Sequence, residues 1–470
     1  MTAKAQNSKM QKTGRSIPSS QAQRPERKGS LAFSWKLYIA ILILTVLLNG
    51  LSWCSTVFCD IYVKYIFPIW VNTYGRFTGL FPFSVGELLI CAGLGLVVLV
   101  MISCALRLIM VIRHRRKYSV FFRKTMIFFA WILLIVGLIM TLNCFLLYHT
   151  SSFSDKYLGS GQIGGNPAGS SPGGSLDSER VKENADENVG KNTEENAAHS
   201  LSEENITDIT KFLRLRNKVA ARCNALSAQV ERDEKGYIVY TGSRSESGEH
   251  IDMQDKARED MRRLGEQYPQ LAGYYPRPKA LLSSDFMCQQ YMLGWYFPFS
   301  MEANYNDVAY VMNLPATMCH ELAHLKGFIY EDEANFIGYL ACIQSDDVYF
   351  QYSGYLSVLG YLERDLNQLR KQAPADYAQA VEQEGLVALL DIVHQDDIFV
   401  TNEEWDRIEA KALFRTEDIS KAADTFVDTT LKVNGVTDGK VSYSHVVQLM
   451  LEYEAIENKS LEACTIEFGK

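Results

Sequence analysis

Cysteine pairing is the first thing this chain lacks. None of its ten cysteines stands in a Cys-x-x-Cys pair. Five fall in or beside apolar segments, while Cys223, Cys288, Cys319, Cys342 and Cys464 are scattered through the C-terminal part. That excludes a disulfide framework as the organising device. A basic excess is also missing: 47 Lys and Arg face 55 Asp and Glu, a formal net charge of −8. Nothing basic is concentrated in the C-terminal half, so nucleic acid is not expected as a partner. No small-residue cleavage pattern follows the first apolar run, which argues against a secretory signal peptide. Residues 151–205 hold almost no large apolar side chains and read as a Gly/Ser-rich, then acidic, flexible linker.

Three apolar runs are long enough to cross a bilayer of about 30 Å. They are Leu37–Phe58, Val85–Leu106 and Met126–Leu147, each essentially free of charge. Eight lysines and arginines precede the first run and six lie in the loop Arg113–Lys124, whereas Cys59–Ser84 holds only Lys64 and Arg76. The positive-inside rule then puts the N-terminus in the cytoplasm and everything after Tyr148 outside. The outer loop Ile61–Phe83 is rich in aromatics and reads as an interfacial belt, with a substrate-guiding rim as the alternative.

Histidine is scarce, with eight in 470 residues, yet two of them form His-Glu-x-x-His at His320, Glu321 and His324. On a helix this spacing puts both imidazoles on one face, where they can share a zinc ion at about 2.0–2.1 Å each. Glu321 then stands beside the metal as a general base for zinc-bound water. A hydrolytic site needs a third ligand and one open position. Gly327 can end the first helix in a left-handed cap, and Glu331 opens a second apolar-patterned helix. Glu331 is assigned to the metal. Asn335, one turn on, is assigned to hold a ligand imidazole, while Glu333 points elsewhere.

The sequence Glu331-x-x-Ala334-Asn335 after His320-Glu321-x-x-His324 resembles the gluzincin arrangement, in which a glutamate on the following helix completes the zinc site. The wider stretch Gly294–Asn304, Glu331–Phe336 and Tyr352–Tyr355 resembles a family of bacterial multi-pass membrane proteins carrying a domain-of-unknown-function label and usually read as zinc peptidases. The gap from His324 to Glu331 is shorter than in better-known gluzincins, and Asn335 stands where many of them carry aspartate. The resemblance implies an edge strand pairing with substrate, for which Tyr296–Asn304 fits; periodicity alone admits an ordinary hairpin there equally well. It also implies an oxyanion donor, from among Tyr352, His394, Tyr443 and His445, with Tyr443 and His445 preferred.

The expected organisation is a basic cytoplasmic tail (1–36), a three-helix membrane region (37–148), a linker (149–205) and an extracytoplasmic domain (206–470) held near the bilayer without rigid docking. That domain is expected to be mainly α, an α+β zincin-like fold with a small sheet. Asn205 or Thr207 would cap its first helix, Glu234–Tyr240 would form a short strand, and Leu281–Asn304 shows strand periodicity. Helices are expected over 346–369, 375–390, 401–411, 422–433 and 443–454, with turns at Asn434-Gly435 and Asp438-Gly439. The function expected is a plasma-membrane zinc metalloendopeptidase acting on peptide or protein substrates. The competing reading is a non-catalytic zinc-stabilised receptor or scaffold of the cell envelope.

Overall fold

The computed structural model describes residues 28–112, 119–159, 192–245, 247–433 and 445–468. Most of the basic N-terminal tail, the Gly/Ser-rich part of the linker, the two turns after Val433 and Tyr443 lie outside the described residues.

Among the described residues, three helices carry segments long and apolar enough to cross a membrane: Trp35–Cys54, Val85–Ile112 and Val120–His149. They belong to α1 (Lys28–Cys54), α5 (Val85–Ile112) and α6 (Ser119–Met140), the last continued by a π turn over Thr141–Phe145 and a 3-10 turn at Leu147–His149. Exposed Leu47, Leu94 and Met101 form the apolar exterior that a bilayer requires. This is a membrane protein. The first span ends earlier than hydropathy suggests because Ser55 breaks the helix and caps the next one, accepting from the Phe58 amide at 3.2 Å.

That next helix, α2 (Thr56–Tyr65), is followed by α3 (Phe67–Trp70) and α4 (Arg76–Thr78). The aromatic loop therefore divides by helical face. Tyr62 and Phe67 are buried in the core, whereas Tyr65 and Phe77 stay exposed.

The C-terminal unit starts with α7 (Asn192–Ser227). It begins well before the expected caps at Asn205 and Thr207, because nothing from Asn192 onward interrupts the helix: the stretch has no Pro or Gly. A single bridge, Arg232 to Ile238, replaces the strand expected at Glu234–Tyr240. The pairing falls instead to β1 (Ser243–Arg244) and β2 (His250–Ile251), followed by α8 (Met253–Gln267) capped by Asp252. β3 (Lys279–Ala280), α9 (Ser284–Gln289), β4 (Gly294–Phe297) and β5 (Glu302–Tyr305) then build a three-stranded sheet in the order β3-β5-β4. The apparent alternation over Leu281–Asn304 thus hides a helix.

Next come α10 (Leu314–His324), α11 (Glu331–Ile343) and α12 (Val348–Gln372), whose buried Leu322, Ile337 and Leu359 form the centre of the core. The remaining helices among the described residues are α13 (Pro374–Glu384), α14 (Asp391–Asp396), α15 (Asn402–Lys411), α16 (Thr416–Val433) and α17 (His445–Phe468).

Loose tethering is not what the structure shows. Phe153 is fully buried among the rings of Tyr157, Tyr268, Phe328 and Phe336. Its amide donates to the buried carboxylate of Glu333. The few large side chains at 153–158, diluted by the polar stretch after them, dock the end of the third span into the core. On the other side, Glu302 of β5 accepts from the amides of Val85 and Gly86 at 3.2 and 2.8 Å. It caps the N-terminus of α5, where the helix dipole favours a carboxylate. Lys279 forms a buried ion pair with Glu302 and donates to the carbonyls of Thr78 and Phe83.

Candidate metal centre

Pro315 pre-sets the first turn of α10. Ser353 of α12 anchors that turn by accepting from the Ala316 amide at 3.1 Å and donating to the Met312 carbonyl at 2.6 Å. α10 ends at His324, and Gly327 adopts φ +89°, which lets the chain reverse into α11. The two helices cross closely because Gly338 has no side chain: a Cβ there would lie 3.0 Å from the Ala316 carbonyl and 3.2 Å from the His320 amide.

This crossing brings His320, His324 and Glu331 together, with one ligand atom from each lying within 4.8 Å of the others. The Nε2 atoms of His320 and His324 are 3.0 Å apart. Glu331 Oε2 lies 3.2 Å from His320 Nε2 and Oε1 3.9 Å from His324 Nε2. Two donors tetrahedrally placed around zinc at about 2.05 Å would be about 3.3 Å apart. The described residues contain no other such group of His, Cys, Asp and Glu.

Both rings are fixed from behind. His320 Nδ1 donates to Asn335 Oδ1 at 2.9 Å, and Asn335 Nδ2 donates to the Tyr361 hydroxyl at 3.3 Å. His324 Nδ1 donates to the Phe328 carbonyl at 2.7 Å. With each Nδ1 hydrogen committed to an oxygen, the neutral rings direct two Nε2 lone pairs at one point, an arrangement that repels unless a cation lies there. The residues fit a zinc ion.

In the metal-free protein a proton takes the cation's part. Burial disfavours charge on His320, but the hydrogen bond and charge of Glu331 outweigh it and hold the ring up at about 9. Burial and the neighbouring His320 charge push His324 down to about 4. Glu331 is held down at about 2 against its burial by the His320 hydrogen bond.

Glu321 packs beside the pair, its Oε1 4.0 Å from His320 Nε2. Its Oε2 is buried and has no hydrogen-bond partner among the described residues, an expensive state for a carboxylate unless a ligand meets it. Burial pushes this carboxyl up to about 8, with the His320 charge and the Tyr296 amide pulling the other way. Gly294 of β4 makes room for it: a Cβ there would fall 2.5 Å from Glu321 Oε1.

The remaining expected site residues are placed differently. The stretch 296–304 is a hairpin rather than one strand. Tyr296 lies on the free-edge strand β4, its hydroxyl donating to the Asn143 carbonyl at 3.2 Å and its ring 5.8 Å from that of His324. Asn304 lies on the central strand β5, buried and donating to the Trp295 carbonyl at 3.1 Å. A central strand has no free edge, so Asn304 is not available to pair with a substrate backbone. Tyr352 is buried and donates to Asp396 at 2.7 Å, and His394 is exposed on α14. His445 Nδ1 lies 3.5 Å from Asp332 Oδ2, next in sequence to Glu331. Glu333 faces Phe153, away from the histidines. Local patterning did not reveal Tyr361, the Phe328 carbonyl, Gly294 or Gly338, because their roles depend on elements distant in sequence.

A family model described as "Protein of unknown function (DUF3810)" matches residues 62–162 and 192–451, and the chain belongs to that family. No curated protein matches the chain. No solved structure matches it.

Proposed function

We propose that this member of the DUF3810 family is a membrane-anchored zinc metallopeptidase with a gluzincin-type ligand set and a zincin-like catalytic unit. One observation carries the reading. Two histidine Nε2 atoms and a glutamate carboxylate converge beside a buried carboxylate oxygen that has no partner among the described residues.

His320, His324 and Glu331 would hold the ion, with Asn335 and the Phe328 carbonyl fixing the two rings. Zinc supplies a Lewis acid that polarises a carbonyl and acidifies water. Beside a cation held by the three ligands, the Glu321 carboxyl returns to its ionised form. Glu321 then accepts the proton of the attacking water on its free carboxylate oxygen and returns it to the departing amine nitrogen, closing the proton balance of peptide hydrolysis. Its burial keeps this proton transfer out of bulk water. β4 runs next to Glu321 as an edge strand, the position from which an extended substrate backbone would be held. The excess of Lys and Arg before the first span and in the loop after the second supports an extracytoplasmic position for the unit, and the reading takes the membrane to be the plasma membrane.

The test is metal analysis of the purified full chain, joined to a peptide-library digest by the wild type and by Glu321→Gln. The expected result is stoichiometric zinc in both proteins and cleavage by the wild type alone. Zinc-loaded wild type that cuts nothing, with Glu321→Gln indistinguishable from it in cells, would leave the zinc-stabilised receptor as the better description.

A further inference from the structure

The hairpin that borders the site is also one of the parts of the unit fastened to the membrane helices. Glu302 of β5 caps α5 through Val85 and Gly86. The Thr78 hydroxyl donates to the Ser300 carbonyl at 2.8 Å. Asn143, in the π turn at the end of the third span, donates to the Pro298 carbonyl at 2.9 Å and accepts from Tyr296. Phe297 lies so close to Gly86 that a Cβ on the glycine would come within 2.6 Å of its ring.

These contacts form a ruler. Phe297, at one end of β4, touches the first turn of a membrane span, and Gly294, at the other end, touches Glu321. Three strand residues cover about 10 Å. One further helical turn toward the hydrocarbon adds about 5 Å. Whatever the tilt of the strand, Glu321 is therefore roughly 15–20 Å at most from the apolar layer, a distance spanned by about five or six extended residues. Two exposed leucines stand at this junction: Leu80 is 77 % exposed and Leu282 84 % exposed. The Leu282 amide is held at 3.0 Å by Glu87 in the first turn of α5. Exposed leucines at the mouth of a span belong in an interface with lipid rather than with water.

Accepting the peptidase reading, on which this rests, we infer that the substrate is itself membrane-embedded and is cut in the extended segment within about six residues of its own span, laid along the free edge of β4.

The experiment uses the full zinc-loaded chain in lipid vesicles with three probes. The first is a single apolar helix carrying a randomised twelve-residue extension. The second is the same randomised peptide without the helix. The third has ten prolines inserted between helix and extension, a stiff spacer of about 30 Å. Mass spectrometry locates the cuts. In parallel, metal-free Glu321→Gln protein with a photoreactive residue replacing Trp295 reports capture of each probe without catalysis. Expected are cuts clustered near the helix in the first probe, at least tenfold loss with the proline spacer, and crosslinks that follow the same order. Equal cutting of anchored, spaced and free peptides, or cuts spread evenly along the extension, overturns the inference and leaves the peptidase intact. Ordered crosslinks without any cleavage support the membrane-proximal docking and overturn the peptidase. No cleavage and no ordered crosslinking overturns both.

Discussion

Asn335 Oδ1 accepts a hydrogen bond from His320 Nδ1 at 2.9 Å, so the ring that offers Nε2 to a metal is oriented by a neutral amide from the next helix. Replacing Asn335 with Leu removes that acceptor without adding charge. Zinc affinity is expected to fall by about 10–100-fold, measured by competition with a chromophoric chelator. Tyr361→Phe, which removes only the partner behind Asn335, is expected to have a smaller effect. Unchanged affinity in Asn335→Leu would show that the ring keeps its orientation unaided.

Glu331 and Glu321 separate binding from turnover. Glu331→Ala removes one of three ligands, and zinc is expected to be lost on dialysis. Glu321→Gln keeps the shape and the ligand set but removes the proton acceptor, so zinc content should persist while kcat falls by about 10²–10⁴-fold. Metal analysis and a single fluorogenic peptide decide it. The opposite pattern would mean that the two glutamates exchange roles.

Zinc affinity should depend on pH. In the metal-free protein Glu331 keeps His320 protonated up to about 9, and a metal entering at Nε2 must displace that proton. Metal and proton compete, so affinity falls as pH falls below about 9, by up to about tenfold per unit for one proton released. Calorimetry in buffers of different ionisation enthalpy would count the proton directly. Affinity flat between pH 6 and 8 contradicts the expectation.

The buried pair Lys279–Glu302 fastens the hairpin to the second span. Lys279→Met strands a carboxylate in the interior and should destabilise by about 3–5 kcal/mol. Pairing it with Glu302→Gln should recover part of that loss, since no charge is then left alone. Thermal denaturation in detergent, followed by circular dichroism, reads both. A double variant weaker than the single one would place the main contribution in the cap on α5.

Two glycines are tested by adding a single methyl group. Gly294→Ala puts a Cβ against the Glu321 side chain and the Thr317 methyl; activity should drop while zinc content holds, because neither group that must move is a metal ligand. Gly338→Ala presses on the backbone of α10 and should cost about 1–3 kcal/mol of stability. A thermal melt and a zinc assay on both proteins distinguish the effects. Loss of zinc in Gly294→Ala, with Gly338→Ala unaffected, would reverse the assignment.

The sequence by itself determined what depends on neighbours along the chain. Hydropathy marked three spans, and the four-residue spacing of His320 and His324 put both on one face. Gly327 marked the reversal after which Glu331 and Asn335 share a second face. All of this is short-range helical geometry, which repeats every few residues and leaves a pattern in the text. Only the tertiary structure decided how those faces meet. It used Gly338 to bring α10 and α11 into contact, Gly294 to admit Glu321 beside β4, and Glu302 and Asn143 to fasten the hairpin to two membrane helices. Those contacts join residues tens to hundreds of positions apart. Each depends on a volume left empty or a buried polar group satisfied across the fold, and neither has a period that a linear reading could detect.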